Sequence, residues 1–265
     1  MSDTVRASRR HPVPDDELTY EPSARRVRGV VGDTTVVDSR RPLLVWEPGR
    51  PVPLYAFPRG DVRTDLLAAG PAVGRPGAGT GYNLALAGRQ LPAIAWDYEV
   101  PELADHIAFD WFGRVEPGVE HWYEEDEEVF VHPRDPYKRV DALPSSRHVQ
   151  VSVDGTVVAD TRRPVLVFET RLPVRYYIPP EDVDFHRLTR SVLRTRCPYK
   201  GEARYWSVSG DQSHDNIVWT YQDPIPSVEP IRDHLAFYNE VVDITVDGEL
   251  LERPVTVFSE RLSQR

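Results

Sequence analysis

The densest reactive set in this sequence is Cys197-Pro198-Tyr199-Lys200-Gly201, followed closely by Tyr205 and Trp206. A lysine three residues after a cysteine lowers the thiol pKa if the turn folds them together, which would make Cys197 a nucleophile. Lys200 could also act as a base, form a Schiff base with a carbonyl, or bind an anion. Tyr199 and Tyr205 offer hydrogen-bond donors, and Trp206 a stacking wall. The competing reading is a tight Pro/Gly turn entering a strand, with an inert thiol packed inside. Composition draws attention to the set. Of 32 Lys and Arg residues only Lys138 and Lys200 are lysine, and Cys197 is the single cysteine. Where charge alone is wanted this chain writes Arg, so a retained Lys points to a compact or tunable cation. Both lysines end the same tripeptide, Pro-Tyr-Lys, at 136–138 and 198–200.

Other candidates carry bland alternatives. Trp219 and Tyr221 are two apart and share a strand face, as do Trp96 and Tyr98; such a stripe lines a pocket or fills a core. Arg162-Arg163 and Arg40-Arg41, each before a proline, could clamp a carboxylate or phosphate. Their recurrence with Glu169 and Glu47 a few residues on reads instead as a structural salt bridge. The acidic run Glu124 to Glu128 lies between His121 and His132, yet its density of like charge marks a solvated loop. No His-Glu-x-x-His, P-loop, Gly-x-Gly-x-x-Gly or Gly-x-Ser-x-Gly is present. The expectation is therefore no metal and no cofactor. Cys197 and Lys200 are the catalytic candidates; Tyr199, Tyr205, Trp206, Trp219, Tyr221, Arg163 and Glu169 are the ligand-binding ones.

The 265 residues carry a net charge of −10. One cysteine cannot form an internal disulfide or a Cys-rich zinc site. Apolar runs fall far short of the ~18 residues of a membrane span. The start, Met1 to Pro14, is charged and lacks an apolar signal core. These features lead us to expect a cytoplasmic protein with no membrane partner. The acidic balance speaks against a nucleic-acid partner.

The elements that must position these residues come as an internal repeat. Val27 to Glu47 matches Val149 to Glu169 at an offset of 122, with 11 of 21 positions identical. Ile94 to Tyr98 pairs with Ile217 to Tyr221, and Asp105 to Phe109 with Asp233 to Phe237, so loops differ in length while elements persist. The boundaries follow from composition: a polar arm over 1–25, a first domain over 26–132, a connector over 133–147, and a second domain over 148–265. Alternation at Val149, Val151 and Val153, then Asp154-Gly155, predicts a hairpin. Asp247-Gly248 predicts another, leading to a strand at Val255 to Phe258. Helical signal is confined to short pieces around Glu181 to Val192 and Glu229 to Tyr238. The fold class is mainly β, with a twisted antiparallel sheet or open barrel in each domain. Opposite Cys197 to Trp206 the first copy has Gly74 to Asn83, a Gly-rich stretch that keeps only the tyrosine. One copy kept a site, and the other became scaffold or took another job.

The segments Thr161 to Glu169, Tyr176 to Asp182, Cys197 to Trp206, Trp219 to Pro224, and Ala236 to Glu240 with Val246 to Glu249 resemble domain-of-unknown-function family 427. The first half looks like a diverged copy, as in the tandem form of that family, and Val131 to Asp141 resembles that form's connector. The resemblance implies a small, mostly β domain of the Mss4-like type, usual in bacteria and fungi. Zinc-binding Cys pairs of that broad fold are missing here, so no metal is carried over. A nucleotidyltransferase-like label sometimes attached to the family finds little support in the lone acidic pair Asp182-Val183-Asp184. Two functions are therefore carried forward. One is a small-molecule pocket in the second domain, with Cys197 and Lys200 at its mouth. The other is a non-catalytic structural or interaction protein, its domains paired within the chain, as monomer or homodimer.

Overall fold

The computed structural model describes residues 17–86, 88–111, 118–208, 214–256, 258, 259 and 262. It divides into two units, Met1–Tyr137 and Lys138–Arg265. Each unit follows the same plan. In the first, β1 (Thr19–Pro22), β4 (Leu43–Trp46), β5 (Leu54–Pro58), β9 (His106–Phe109), β8 (Arg89–Tyr98), β7 (Ala78–Leu86) and β6 (Leu67–Gly70) form a sheet in that order. A smaller sheet orders β11 (Glu127–Glu128), β10 (His121–Glu124), β2 (Val27–Val31) and β3 (Thr34–Ser39). In the second, the larger sheet runs β12 (Val140–Pro144), β15 (Val165–Glu169), β16 (Arg175–Ile178), β20 (Leu235–Phe237), β19 (Val218–Pro224), β18 (Gly201–Val208), β17 (Leu188–Cys197). The smaller runs β14 (Thr156–Thr161), β13 (Val149–Val153), β21 (Asp243–Val246), β22 (Glu249–Leu250). Both large sheets are open, ending on distinct edge strands rather than closing into barrels.

Period-two alternation explains the packing. On β16, Tyr176 and Ile178 face a core shared with Val149, Val151 and Ile244 of the smaller sheet. Tyr177, between them, faces a second core with Trp219, Tyr221, Val228 and Ile231. Burial on both faces is why this strand reads as a continuous aromatic and apolar run. The Asp154-Gly155 turn joins β13 to β14 with both residues at positive φ, 50° and 75°, as a type I′ hairpin requires.

Three expectations need correction. The piece around Glu181 to Val192 is two 3₁₀ turns, Pro180–Asp182 and Phe185–Arg187, after which β17 begins at Leu188. Cross-strand pairing with β18 overrides a weak local helix preference. Glu229 to Tyr238 is likewise not helical: a 3₁₀ stretch, Pro226–Ile231, contains Pro230 and leads into β20, between β16 and β19. Nor is Val255 in a strand: it is 92% exposed, because β21 turns at Asp247-Gly248 directly into the two-residue β22. Val257 lies outside the described residues.

The arm and the connector also contribute structure. Thr19–Pro22 and Val140–Pro144 are equivalent edge strands, pairing with β4 and β15. Each leads into a Pro-Ser-x-Arg segment in which serine N–H donates to a proline carbonyl across the sheet, Ser23 to Pro42 at 2.9 Å and Ser145 to Pro164 at 2.9 Å. Residues 1–16 of the arm lie outside the described residues.

Candidate functional site

Lys200 is placed by the turn between β17 and β18. Pro198 stops β17, the Lys200 N–H donates to the Cys197 carbonyl at 3.3 Å, and Gly201 opens β18 at φ +104°. A Cβ at Gly201 would lie 3.0 Å from the Asp223 carbonyl oxygen, so glycine lets the two backbones close up. Across the sheet Glu169 ends β15, and β12 pairs Val140 opposite it. That pairing carries Lys138 to the same carboxylate.

The result is a buried ionic cluster. The Lys200 ammonium donates to Glu169 Oε2, and Lys138 Nζ lies 3.0 Å from Oε1. The only two lysines of the chain thus occupy the two oxygens of one carboxylate. Lys200 is 8% exposed and Glu169 9%. Burial alone would push Glu169 up, but Lys200 and Lys138 outweigh it and hold the carboxyl below its ordinary value. Burial likewise works against the Lys200 ammonium, but its neighbours Cys197, Glu169 and Tyr177 favour the charged form, and the pKa stands above that of an ordinary lysine. Around the cluster, burial raises Tyr177 to about 12 and Tyr221 well above its usual value.

The predicted residues divide cleanly. Lys200, Glu169, Tyr199, Tyr205, Trp219 and Tyr221 come together on one face of the large sheet. Lys138 sits 5.5 Å over the Tyr199 ring, the Tyr205 hydroxyl meets Thr195 Oγ1 at 2.8 Å, and Trp219 Nε1 donates to the Tyr177 hydroxyl at 3.1 Å. Cys197 is half-buried at the end of β17. Lys200 is inside this cluster rather than at a pocket mouth. Trp206 points to the opposite face, packing on the inter-sheet core and edge-on to Phe185. Arg163 is exposed and pairs with Glu181 at 2.8 Å and Asp182 at 3.2 Å, not with Glu169. Its counterpart Arg41 likewise meets Asp61, at 3.5 Å, so Arg41 and Arg163 bind the 3₁₀ turns and not the following glutamates. An open depression of about 270 Å³ passes Glu169, between Arg139, Asp141, Phe168 and Leu172.

Sequence comparison missed two groups. Arg175, on β16, forms a buried two-point pair with Glu240, at 2.7 and 2.6 Å, and lies over the Trp219 and Tyr238 rings. The second is in the first domain, where Arg75 meets Glu47 at 3.0 Å and Asp110 at 2.7 Å and stacks on Trp96 at 3.9 Å. Tyr98 donates to the same Glu47 at 3.1 Å. Ladder pairing makes Ala78 the counterpart of Ala203, each opposite its tyrosine, which puts Arg75 in the place of Lys200. The first copy therefore did not lose the cation; it kept it as arginine. Tyr82 corresponds to Trp206, not to Tyr205, because both pair with equivalent residues of the next strand, Ala95 and Val218.

Glu124 was a further surprise in the acidic run. It is buried, accepting from the Tyr55 hydroxyl and Arg25, each at 3.1 Å, while Asp126 is exposed in the turn. Among the described residues no group of three His, Cys, Asp or Glu could hold a metal ion. No described helix is long and apolar enough to cross a membrane.

A family model described as a domain of unknown function, DUF427, matches the chain twice, over residues 19–124 and 141–248. This chain belongs to the DUF427 family. The two DUF427 matches start 122 residues apart, at β1 and within β12, so each includes the edge strand that precedes the evident repeat. No curated protein matches the chain.

Proposed function

We propose that the second DUF427 domain binds a small anionic molecule at Lys138, Glu169 and Lys200, with Cys197, Tyr199, Tyr205 and Tyr221 alongside. The observation that carries the reading is a difference in charge between the two copies. In the first, Glu47 and Asp110 face Arg75 and Arg50. In the second, Glu169 faces two lysines, and the place of Asp110 is taken by Tyr238, whose N–H meets Ile217 as that of Asp110 meets Ile94. One positive charge is left over in a largely dehydrated site, where an anion stabilises it. An ammonium has three donors, and Glu169 is the acceptor described for Lys200. Because its pKa is raised, Lys200 stays protonated at neutral pH, which suits an anion holder and not a Schiff-base amine. Any turnover of the bound molecule would fall to Cys197.

A second reading has its own support: both copies bury a carboxylate–cation pair at the same place, as an interior clamp would require. Thermal shift on the full chain separates the two. Inorganic phosphate, acetate and citrate are titrated at matched ionic strength against wild type and Lys200→Met. Anion binding predicts stabilisation growing as RT ln(1 + [L]/Kd), about 2.7 kcal/mol at a hundredfold excess over Kd, and its loss in the variant. Equal responses of both proteins, or none in either, favour the clamp.

A further inference from the structure

We propose that the β17–β18 ribbon of the second domain binds single-stranded nucleic acid. Ladder register sets Arg190 opposite Trp206, Arg194 opposite Arg204, and Arg196 opposite Glu202. Directly opposed residues share a face, so four arginines, one glutamate and an indole lie together, away from the Lys200 cluster. Arg194 facing Arg204 is a like-charge pair that costs the ribbon stability. Glu202 offsets part of it, 3.9 Å from Arg194 and 3.5 Å from Arg196. Arg190 and Arg204 have no acidic partner among the described residues.

The fold does not demand this charge. At the equivalent ladder positions the first domain has Ala69 for Arg190 and Tyr82 for Trp206. There Tyr82 is tied to Asp97 at 2.5 Å. In the second domain the arginines sit beside exposed aromatic surface instead: Phe185, 43% exposed, meets Trp206 edge-on at 6.5 Å. Val192, at 98%, projects from the same edge strand.

Guanidinium forks grip phosphate oxygens in pairs, and aromatic faces stack unpaired bases of any sequence. Arg194 and Arg196, two residues apart on an extended strand, are about 7 Å apart along it, a step that suits the phosphates of an extended single strand. The net charge of −10 is no obstacle. Charges beyond about 8 Å are screened at physiological salt, so a bound strand senses the ribbon. The inference does not depend on the anion site at Lys200.

The test is fluorescence anisotropy of labelled twelve-nucleotide oligo-dT and oligo-rU with the full chain, over a salt series. Wild type should bind. The triple variant R190Q/R194Q/R204Q should flatten the slope of log K against log salt by about 2, at ~0.7 per lost phosphate contact. Between 50 and 200 mM salt, that share of the affinity is worth roughly twentyfold. Removing opposed like charges should leave melting unchanged or higher, so a folding failure will not mask the result. Phe185→Ala, at an exposed ring, should weaken binding with the salt slope intact. No binding by wild type at low salt, or equal binding by the triple variant, overturns the proposal. So does displacement by an oligoglutamate of equal charge as strong as by unlabelled oligonucleotide, with Phe185→Ala silent; that result assigns the ribbon to an acidic protein.

Discussion

Glu169 offers the sharpest test of the cluster, because one carboxylate serves two cations of unequal burial. Its side chain is 5% exposed, those of Lys200 and Lys138 10% and 20%. Glu169→Gln leaves both ammonium groups facing a neutral amide, and breaking a buried pair this way costs about 3–5 kcal/mol. Lys200→Met is milder, since Lys138 remains 3.0 Å from Oε1. It removes one charge-assisted hydrogen bond, about 1.5–3 kcal/mol. In the double variant only the more exposed Lys138 is left without its carboxylate, so the combined loss should fall short of the sum by about 2 kcal/mol or more. Because the chain has two units, a global melt would mix transitions. Native-state hydrogen exchange of the full chain, read on peptides spanning β15 and β18, isolates the second domain. Additivity of the two substitutions within ~0.5 kcal/mol would refute the argument that they share one interaction.

Further outcomes follow from the same geometry. The folded-state pKa of Glu169 lies below its ordinary 4.5, so its contribution is complete above that pH and is lost as pH falls through the lowered folded value. Acid titration of β15 exchange should show this loss in wild type and not in Glu169→Gln. Arg75→Met removes the cation shared by two buried carboxylates, Glu47 and Asp110, and should destabilise β4 and β9 by about 3 kcal/mol in exchange, with Arg75→Lys recovering part. Gly201→Ala, forced to keep φ +104° against the Asp223 carbonyl, should cost about 1–3 kcal/mol in β18 protection. Arg163→Ala should leave both the melting temperature and any anion-induced shift unchanged, since among the described residues Arg163 pairs with the exposed Glu181 and the partly exposed Asp182.

Much of the fold was legible because strands write themselves in alternation and turns in Asp-Gly. The hairpin at Asp154-Gly155 and the two-copy plan needed nothing else. The helix expected around Glu181 to Val192 failed because the leucine, arginine and valine of β17 are ambiguous until a partner strand is known. Arg75 escaped because a gapless comparison set Gly77 under Lys200. The offset grows from 123 to 125 by this turn, because the first copy has one residue more between Tyr82 and Ala95 than the second has between Trp206 and Val218, and one more between Ala78 and Gly81 than between Ala203 and Tyr205. Lys138 was conspicuous by rarity, but its meeting with a glutamate 31 residues on depends on β12 pairing with β15, which no local pattern encodes. Arg163 and Trp206 lie apart from the Lys200 cluster for different reasons. One is claimed by acids of a nearby 3₁₀ turn, and the other falls on the opposite face of a strand whose parity is legible in the sequence.

The edge strands β1 and β12 matter for anyone who cuts the gene. Each domain is completed by residues lying upstream of its recognisable repeat, so a fragment begun at residue 26 or 148 would expose the hydrogen-bonding edge of β4 or β15. Those strands carry Leu44 and Val45, or Leu166 and Val167, with unsatisfied backbone groups that recruit other chains into aggregates. For the second domain the cut would also discard Lys138, one of the two cations on Glu169. A separable, soluble half should begin ahead of Thr19 or at Lys138, and expression trials at the two alternative starts would show the difference in the insoluble fraction.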